Sequence, residues 1–387
     1  MKGAQSIFCG GVHTAWIHLE RMGRVLTIVC VFAWACGGGS SSHVDGNTGD
    51  GASGGSGGDW SIIKGAPATL FAIEDFNINR YVDLSDDGDA NELSERTVFY
   101  AGADNAYSLL PLDKNTVLRL RAGSAAALML RDLDGNGDTT GTNEVTTWWH
   151  GALPGGGSAS YLYDATRGAD GTVHVLDSDT SSAIYALTDL NQDGDVDDAG
   201  EVTLDANLGS ATHPGPMVQD PAGDLWFLDT STKDLVRVRN GTASTIAPGS
   251  FIEATLGASL ADHLVALPSG SLVVEGFYTA QPLGQEELLA AVRDADGNGT
   301  IDASEITVIW TEKDSEYDCI IQDLEGLDDG SLLASSGNRI CRFVDGNHDG
   351  RFTDEGELHM AYDIEFAMQY GQIQTQKQVV YAVGTTQ

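Results

Sequence analysis

The sequence predicts an all-β fold, and more specifically a β-propeller of six or seven blades built from repeats of about 52 residues. Three observations lead to this expectation. An acidic motif with a central glycine recurs along the chain, short apolar segments that alternate like strands flank its copies, and 48 glycines in 387 residues indicate many turns.

The chain begins with a segment that is typical of export. Arg21 and Arg24 precede an apolar stretch at 25–35, which is shorter than the roughly 20 residues needed to cross a bilayer. We therefore expect residues 1–35 to be a signal peptide, and Met22 offers an alternative start of the chain.

The end of this segment carries a candidate lipidation site. Phe32-Ala33-Trp34-Ala35-Cys36 and the glycines and serines after it resemble the lipobox and tether of bacterial lipoproteins. The resemblance implies that Cys36 is lipidated and that the lipid attaches the protein to a membrane. The family prefers other residues at 33 and 34, so cleavage by ordinary signal peptidase is the alternative. Glycine after the cysteine, instead of the family's inner-membrane aspartate signal, implies an outer-membrane lipoprotein of the cell envelope that faces the periplasm or the exterior.

Residues 36–58 are expected to form a tether, because Gly, Ser, Asp and Thr predominate there and cannot bury a core. The segment Gly54-Gly55-Ser56-Gly57-Gly58 matches the GxSxG pattern of serine hydrolases, but that motif works on a strand-to-helix turn and not in a low-complexity linker. The propeller domain is therefore expected over 59–387.

The charge of the chain limits its partners. The formal net charge is −37 at pH 7, and so acidic a surface repels nucleic acid and anionic lipid. The expected partners are cations.

The recurring motif has the layout of a calcium-binding loop. Side-chain oxygens occupy positions 1, 3 and 5, a glycine stands at position 6, a backbone carbonyl is available at position 7, and a glutamate closes the loop. The candidate ligands are, loop by loop, Asp83, Ser85, Asp87, Asp89 and Glu95; Asp132, Asp134, Asn136, Asp138 and Glu144; Asp189, Asn191, Asp193, Asp195 and Glu201; Asp294, Asp296, Asn298, Thr300 and Glu305; and Asp345, Asn347, Asp349, Arg351 and Glu357.

Four or five calcium ions are expected in these loops. Many carboxylates in a short loop repel one another unless a divalent cation neutralises them, and a loop with many oxygens suits calcium better than magnesium. The alternative is that the loops are plain turns, in which aspartate and glycine are common without any metal.

The spacing of the loops defines the repeat. Their first aspartates lie 49, 57, 105 and 51 residues apart, so the third interval spans two periods. A degenerate unit is therefore expected near residue 241. The segment 235–241 keeps the apolar lead-in but lacks the acids, and it should form a plain turn.

Each loop by itself resembles the EF-hand, and Asp294 to Glu305 fits the twelve-residue pattern of that family with Ile301 at position 8. The flanking segments disagree with a helix-loop-helix unit, because 183–187 and 202–204 alternate like strands. Only Glu286–Val292 has a helical pattern. We expect each loop to be the tip of a β-hairpin.

Seven short strands are expected upstream of the six loops or loop remnants. The last, at 379–383, has no hairpin of its own, and Trp60–Ile63 is expected to complete it and close a ring with both chain ends. The layout resembles exported bacterial β-propeller proteins whose blades carry DxDxDG loops, over residues 60–387. An open solenoid is the alternative architecture.

Several other residues are candidates for structural or functional roles. Cys319 and Cys341 are the two cysteines of the domain, and they either form a disulfide or fill the core as small apolar residues. Trp148 and Trp149 are either sugar-stacking aromatics or packed blade residues. The remaining candidates are scattered histidines without metal-ligand spacing: His150, His174, His213, His263 and His359.

Two functions of different class follow. We favour a calcium-stabilised binding or scaffold protein, not an enzyme, with a protein or carbohydrate ligand. The alternative is a propeller-type hydrolase or lactonase with a site and a separate metal at the central channel, which predicts a cluster of carboxylates around the axis outside the loops. A calcium-sensing switch is a third hypothesis, which the strand flanks disfavour.

Overall fold

The computed structural model describes residues 15–17, 28–30, 69–74, 77–82, 84, 94–102, 106–121, 126–178, 182–210, 212–278, 286–314, 319, 321–327, 329–336, 339–354, 356–363 and 380–386. The chain forms two compact units, Met1–Ser53 and Gly54–Gln387. In the first unit, β1 (Ala15–Ile17) pairs with β2 (Ile28–Cys30). Within the described ranges, no helix is long and apolar enough to cross a membrane.

The second unit consists of six four-stranded antiparallel sheets. Its first strands are β3 (Thr69–Glu74), β4 (Asn77–Tyr81) and β5 (Arg96–Ala101). Blade 2 comprises β6 (Ala106–Asp113), β7 (Thr116–Arg121), β8 (Ala127–Arg131) and β9 (Val145–Trp149). Blade 3 comprises β10 (Leu162–Arg167), β11 (Val173–Asp177), β12 (Ser182–Leu187) and β13 (Val202–Gly209).

Three further blades have the same layout. Blade 4 comprises β14 (Pro214–Gln219), β15 (Leu225–Asp229), β16 (Leu235–Arg239) and β17 (Thr242–Ala247), and the helix α1 (Gly249–Leu256) follows it. Blade 5 comprises β18 (Ser259–Ala266), β19 (Leu272–Tyr278), β20 (Glu286–Val292) and β21 (Ile306–Thr311). Blade 6 comprises β22 (Asp323–Gly326), β23 (Leu332–Ser336), β24 (Arg339–Phe343) and β25 (Leu358–Asp363).

The two ends of the propeller chain close the ring. The last strand, β26 (Val380–Thr386), pairs with β3 and forms blade 1 together with β4 and β5. The first strands of the blades, β26, β6, β10, β14, β18 and β22, contact one another in ring order around the axis. The six-blade prediction is confirmed, and the expectations of seven blades or an open solenoid are wrong. The seventh upstream strand is β26 itself, and Trp60–Ile63 lies outside the described residues.

Burial is greatest on the second strand of a blade and least on its outermost strand. All five residues of β15 are buried, whereas the first four of β17 are exposed. The reason is that a second strand is covered by neighbouring blades on both faces, while an outermost strand borders solvent. The apolar clusters accordingly lie between blades, and one of them joins Trp226 and Leu228 of blade 4 to Leu272 of blade 5.

Double-sided burial also explains why one sequence prediction was wrong. Glu286–Val292 forms the strand β20 and not a helix. Its Leu288, Leu289 and Ala290 are consecutive and fully buried. A continuous apolar run of this kind suits either a strand between two blades or a buried helix, and periodicity alone does not separate the two.

The antiparallel strands give the ring two distinct faces. In every blade the connection between the third and fourth strands emerges at one end, which we call the loop face. These connections are 82–95, 132–144, 188–201, 240–241, 293–305 and 344–357. The segments that join the second to the third strands, and one blade to the next, emerge at the opposite face.

A disulfide joins Cys319 to Cys341 within blade 6. Cys319 precedes β22 and Cys341 lies in β24, and both are buried in the cluster that contains Trp310 and Phe343. A bridge of this kind stabilises a fold by roughly 2–4 kcal/mol, mainly by restricting the unfolded chain.

Candidate functional site: acidic loops and the central channel

Each predicted acidic loop connects the third and fourth strands of its blade, so each is the tip of a β-hairpin on the loop face. The degenerate unit in blade 4 is a two-residue turn, in which Asn240 and Gly241 adopt φ of 50° and 74°. Four loops are described from their first aspartate to their closing glutamate, apart from residue 355. Of the first loop, Asp83, Ser85, Asp87 and Asp89 lie outside the described residues, whereas Glu95 is described and buried.

The closing glutamate organises the loop around its carboxylate. Glu144 is 1% exposed, and its Oε1 accepts the N–H groups of Leu133 at 2.9 Å and Asp134 at 3.3 Å. Its Oε2 accepts the N–H of Gly141 at 2.5 Å. A loop without ladder hydrogen bonds needs acceptors for its backbone N–H groups, and this one carboxylate accepts three of these N–H groups.

The same pattern recurs in the other loops. The Oε1 atoms accept N–H groups from the start of the loop: Leu84 to Glu95 at 2.7 Å, Leu190 to Glu201 at 2.9 Å, Ala295 to Glu305 at 2.6 Å and Gly346 to Glu357 at 3.1 Å. The Oε2 atoms accept from the residue three before the glutamate: Asp198 at 3.1 Å, Asp302 at 3.0 Å and Asp354 at 2.9 Å. Sequence reasoning did not single out these three aspartates, although an acid three residues before the glutamate recurs in the sequence.

The first aspartate of each loop fixes the turn at position 6. Asp132 Oδ2 accepts the N–H of Gly137 at 3.0 Å, and Asp294 Oδ2 accepts that of Gly299 at 2.8 Å. The equivalent contacts are Gly194 to Asp189 at 3.0 Å and Gly350 to Asp345 at 2.9 Å. All four glycines have φ between 83° and 100°, a region that side chains with a Cβ avoid, which explains why glycine recurs there.

In two loops the carboxylates converge closely enough to hold a metal ion. One ligand oxygen from each of Asp132, Asp134 and Glu144 lies within 4.8 Å of the others, and the same holds for Asp294, Asp296 and Glu305. Asp294 Oδ1 is buried and has no hydrogen-bond partner. Clustered carboxylate oxygens are the donor set that hard divalent cations such as calcium prefer, so these residues fit the predicted ion.

The candidate ligands at positions 3, 5 and 7 are mostly exposed at the loop tips. Asn191 Nδ2 donates to Asp193 at 3.0 Å and to Asp198 at 2.6 Å. The side chain of Asp138, at position 7, accepts from Thr140 N at 2.8 Å. This arrangement leaves position 7 to contribute its carbonyl, which is consistent with the variety of residues there, from Asp195 and Thr300 to Arg351.

Position 8 attaches each loop to the preceding blade. Thr139 N donates to Phe99 O at 2.9 Å, Val196 N to Trp148 O at 2.9 Å and Phe352 N to Ile309 O at 2.8 Å. Each acceptor lies on the outermost strand of the blade before. Ile301 is buried in the cluster that contains Ile246 of blade 4. A structural change in a loop therefore also affects the contact between two neighbouring blades.

A second group of carboxylates surrounds the axis. Asp164, on the innermost strand β10, accepts from Ser108 Oγ of blade 2 at 2.6 Å and from Met217 N of blade 4 at 2.7 Å. This one side chain joins three neighbouring innermost strands. Burial raises its pKa above the ordinary value, against the effect of these hydrogen bonds.

Blade 6 supplies two further acids on its innermost strand, Asp323 and Glu325. Leu324 packs in the core shared with blade 5, so Asp323 and Glu325 face the other way because side chains alternate along a strand. Burial, followed by the charges of Asp323 and Asp164, raises the pKa of Glu325 to about 8. Blades 3 and 6 are opposite each other in a ring of six, so Asp164 and Glu325 interact across the axis.

A histidine and two glutamates adjoin this group from the first three strands of blade 5: His263 on β18, Glu275 on β19 and Glu287 on β20. His263 Nδ1 bonds to Glu275 Oε2. Burial alone would lower the pKa of His263, but the hydrogen bond and charge of Glu275 raise it. Burial raises the pKa of Glu287 to about 7 despite the N–H that Ile321 donates at 2.7 Å, and the charges of Glu275 and Glu312 add to the increase.

This axial cluster lies nearer the face opposite the loops. Asp164 and Glu287 are close to the strand ends that emerge there, as is Asp323 at the start of β22. The alternative function predicts non-loop carboxylates around the axis; of this group, Asp164, Asp323 and Glu325 lie on innermost strands, whereas Glu275 and Glu287 lie farther out. Sequence reasoning could not name its members, since no spacing along the chain links them.

The other sequence candidates lie away from the axis. His150 contacts Asp197 of the third loop, and His174 Nδ1 is 3.0 Å from Asp205 Oδ2 within blade 3. Trp148 and Trp149 are 5% and 0% exposed between blades 2 and 3, so they do not form a stacking surface for sugars. The backbone N–H of His213 donates to Asp229, and burial followed by the charge of Arg342 lowers the pKa of His359.

Several solved structures resemble this chain weakly, at low sequence identity. No family model and no curated protein matches the chain. Among solved structures, a protein of unknown function from Bacteroides caccae has a TM-score of 0.47 at 12% identity, covering 82% of this chain and 98% of that one. An inactive variant of virginiamycin B lyase from Staphylococcus aureus has 0.43 at 12%, covering 78% and 86%. A gluconolactonase from Xanthomonas campestris has 0.42 at 16%, covering 77% and 88%. These likenesses carry no inference about activity.

The closing glutamates can be tested without any ligand. Glu144→Gln should lower the free energy of unfolding by about 1.5–3 kcal/mol in chelator, because an amide NH2 then faces a backbone N–H that the carboxylate had satisfied. Urea unfolding measures the loss. Asp134→Asn is the matched control, since Asp134 is exposed and an amide oxygen can still accept the N–H of Asn136. Equal losses in the two variants would contradict the organising role of Glu144.

The axial cluster predicts a dependence of stability on pH. The folded-state pKa of Glu325, about 8, lies above the ordinary 4.5, so the folded protein retains a proton that the unfolded chain loses. Glu325 therefore reduces stability as pH rises from about 4.5 to about 8. Glu325→Gln should increase the free energy of unfolding at pH 9 by about 1–2 kcal/mol after solvent screening, with little effect at pH 4.

Chemical unfolding at the two pH values measures this difference. Asp170→Asn is the control, because Asp170 lies in an exposed turn and the hydrogen bonds of Thr172 lower its pKa, so it does not titrate in this range. A gain in Glu325→Gln that is the same at pH 4 and pH 9 would rule out the proposed cause.

Proposed function

We propose that this protein is a calcium-binding β-propeller of the cell envelope, anchored by a lipid on Cys36, that acts as a binding or scaffold protein. The observation that carries the proposal is the repeated loop architecture. Four described loops place a first aspartate and a closing glutamate in equivalent positions, and two of them bring three carboxylate oxygens within 4.8 Å of one another.

Calcium would stabilise the contacts between neighbouring blades of the ring. Each closing carboxylate oxygen accepts backbone N–H groups and still has lone pairs for a cation. An ion that binds the folded loop and not the unfolded chain adds its binding free energy to the stability of the fold. Because position 8 bonds to the preceding blade, that stabilisation acts between blades as well as within a loop.

The face opposite the loops is the candidate for binding a ligand. The segments that join one blade to the next emerge there, and Asp164, Glu287 and Asp323 lie near it. Loops that are held by a rigid scaffold are the usual carriers of binding sites in folds of this kind. The acidic charge disfavours nucleic acid, and the ligand that we propose is a protein or a carbohydrate.

Calcium binding is tested on the chain from residue 36 onward with Cys36→Ser, which removes any lipid. We expect four or five ions by isothermal calorimetry, and a melting temperature that rises by at least about 10 °C between chelator and saturating calcium. The double variant Asp132→Asn with Asp294→Asn should bind two ions fewer.

Asp170→Asn is again the control, because it removes one acid outside the loops and should change neither the ion count nor the calcium-dependent shift. If calorimetry detects no bound calcium and the melting temperature does not change, the loops are acidic turns and the proposal is wrong.

The axial cluster favours a second candidate function, a hydrolase or lactonase acting at the central channel. His263 bonded to Glu275 has the arrangement of a base oriented by a carboxylate, and the pKa of Glu287, about 7, suits proton transfer near neutral pH. Apart from the loop groups named above, no three His, Cys, Asp or Glu residues in the described ranges come close enough to share a metal.

A panel of sugar lactones and esters tests this second function. Turnover should fall at least about 100-fold in Glu287→Gln, as is typical for the loss of a proton-transferring group. Glu286→Gln, one residue earlier on the same strand and therefore on its other face, should retain activity. If the unaltered chain turns over none of these compounds, this second function is rejected.

A further inference from the structure

Arginines extend from one blade to the acidic loop of the next. In blade 1, Arg80 lies on the third strand β4, and its Nη1 donates to Asp132 Oδ2 of the blade 2 loop at 3.4 Å. In blade 2, Arg131 ends the third strand β8. A Cβ placed on Gly194, at position 6 of the blade 3 loop, would lie 3.7 Å from Arg131 Nη1. Each of these two guanidinium groups therefore adjoins the loop of the following blade.

A third arginine acts on the following blade in the same direction. Arg239 ends the third strand of blade 4 and pairs with Asp224 of its own blade. The hydrogen bond and the charge of Asp224 raise the pKa of Arg239, and the charges of Asp220 and Asp294 add to the increase. Asp294 is the first aspartate of the blade 5 loop, so the charge of Arg239 also stabilises that loop.

The distribution of arginines over the blades follows that of the acidic loops. The third strand, or the residue directly after it, carries an arginine in five blades, represented by Arg80, Arg131, Arg239, Arg293 and Arg342. Blade 3 is the exception, because neither β12 nor the residue after it, Thr188, is or contains an arginine. The loop that follows blade 3 in the ring is the two-residue turn of blade 4, which has no acids. The arginine and the acids are therefore absent together.

The contact with Arg80 balances a buried negative charge. The side chain of Asp132 is 2% exposed, and a carboxylate that is removed from water needs hydrogen-bond donors and an opposite charge. The N–H groups of Gly135 and Gly137 donate to it at 2.7 and 3.0 Å, and Arg80 supplies the charge. The guanidinium thereby offsets part of the repulsion among the three carboxylates of this candidate ion site.

The same positive charge opposes a bound ion. Calcium in the blade 2 loop would share Asp132 with the guanidinium, and the two positive charges repel each other. Arginine does not lose its proton in a folded protein, so deprotonation cannot relieve this repulsion. By linkage, the factor by which Arg80 weakens calcium binding equals the factor by which calcium weakens the contribution of Arg80 to folding. The effect can therefore be measured in two independent ways.

We propose that Arg80, Arg131 and Arg239 are internal counter-cations of the loops in the following blades: they hold these loops in the absence of calcium, and they lower the affinity of the loops for calcium. This inference rests on the calcium binding of the proposed function. It gives the arginines a role in setting the calcium concentration at which the loops fill. Because each arginine belongs to one blade and its loop to the next, calcium binding also changes the contact between the two blades.

Thermal unfolding of the chain from residue 36 onward with Cys36→Ser tests the proposal without altering any loop. Arg80→Met removes the charge and keeps most of the length of the side chain. The melting temperature should fall by at least about 3 °C in chelator, where Asp132 loses its counter-charge, and by about 1 °C or less in saturating calcium. Lys313→Met is the control, because Lys313 is exposed and follows β21 at the face opposite the loops. It should leave the calcium-dependent rise in melting temperature unchanged.

Calorimetry measures the affinity of a single loop. The blade 2 loop remains as the one intact site when asparagine replaces the first aspartate of the other four loops: Asp83→Asn, Asp189→Asn, Asp294→Asn and Asp345→Asn. In this background Arg80→Met should lower the Kd for calcium by about three- to tenfold, whereas Arg80→Lys, which keeps the charge, should stay within about twofold of the parent. Arg131→Met should have the same effect on the blade 3 loop in a background that retains Asp189 and carries Asp132→Asn.

The outcomes separate this inference from the proposed function. If Arg80→Met lowers the melting temperature equally in chelator and in calcium, or leaves the Kd unchanged, Arg80 is only a salt-bridge partner between blades; the inference is then wrong and calcium binding stands. A higher Kd in Arg80→Met would mean that the arginine positions Asp132 for the ion, which also overturns the inference. If the unaltered chain binds no calcium, the proposed function fails and this inference fails with it.

Discussion

The buried glutamate that closes each acidic loop is the contact on which the loop face depends. A long connection between two strands leaves backbone N–H groups without ladder partners, and each unpaired group would cost free energy if buried. Glu144 satisfies three of them with one carboxylate. The glutamate thereby fixes position 2, brings its own oxygens beside those of the first aspartate, and leaves position 8 to bond the preceding blade. The shape of the candidate ion site therefore depends on this one group.

The sequence allowed the repeat to be predicted because its signals are local. A positive φ requires a glycine at position 6, which recurs at a fixed spacing. The backbone N–H groups that the terminal glutamate accepts require that residue, and it stands at position 13 in four loops and at position 12 in the loop of blade 5. The prediction that each loop is the tip of a β-hairpin followed from flanking segments that alternate like strands, such as 183–187. The pattern of Glu286–Val292 led to a wrong prediction of a helix. The third strand of a blade is buried on both faces, and its continuous apolar run therefore resembles a buried helix. Six blades could be distinguished from seven only once β26 was seen to pair with β3, a contact between the two ends of the propeller.

The axial cluster could not be predicted from the sequence, for a physical reason. Asp164 and Glu325 come from opposite blades, and only closure of the ring brings their charges together. Nothing in the residues around either one marks it as special, since single acids on strands are common. His263 was noticed as a histidine but could not be distinguished from His174 or His359, because its partner Glu275 is defined by strand pairing and not by spacing.

Two acids of the loops and three buried acids have pKa values that shift in opposite directions. In the loops, hydrogen bonds from Thr140 and Ser304 lower the pKa of Asp138 and Asp302, so these carboxylates stay ionised even in mildly acidic surroundings. Burial raises the pKa of Asp164, and it raises the pKa of Glu287 to about 7 and that of Glu325 to about 8, so the two glutamates take up protons near neutral pH. Asp138 and Asp302 therefore offer their full negative charge to the calcium ions that we propose. The two glutamates keep protons that a ligand or a reaction could exchange.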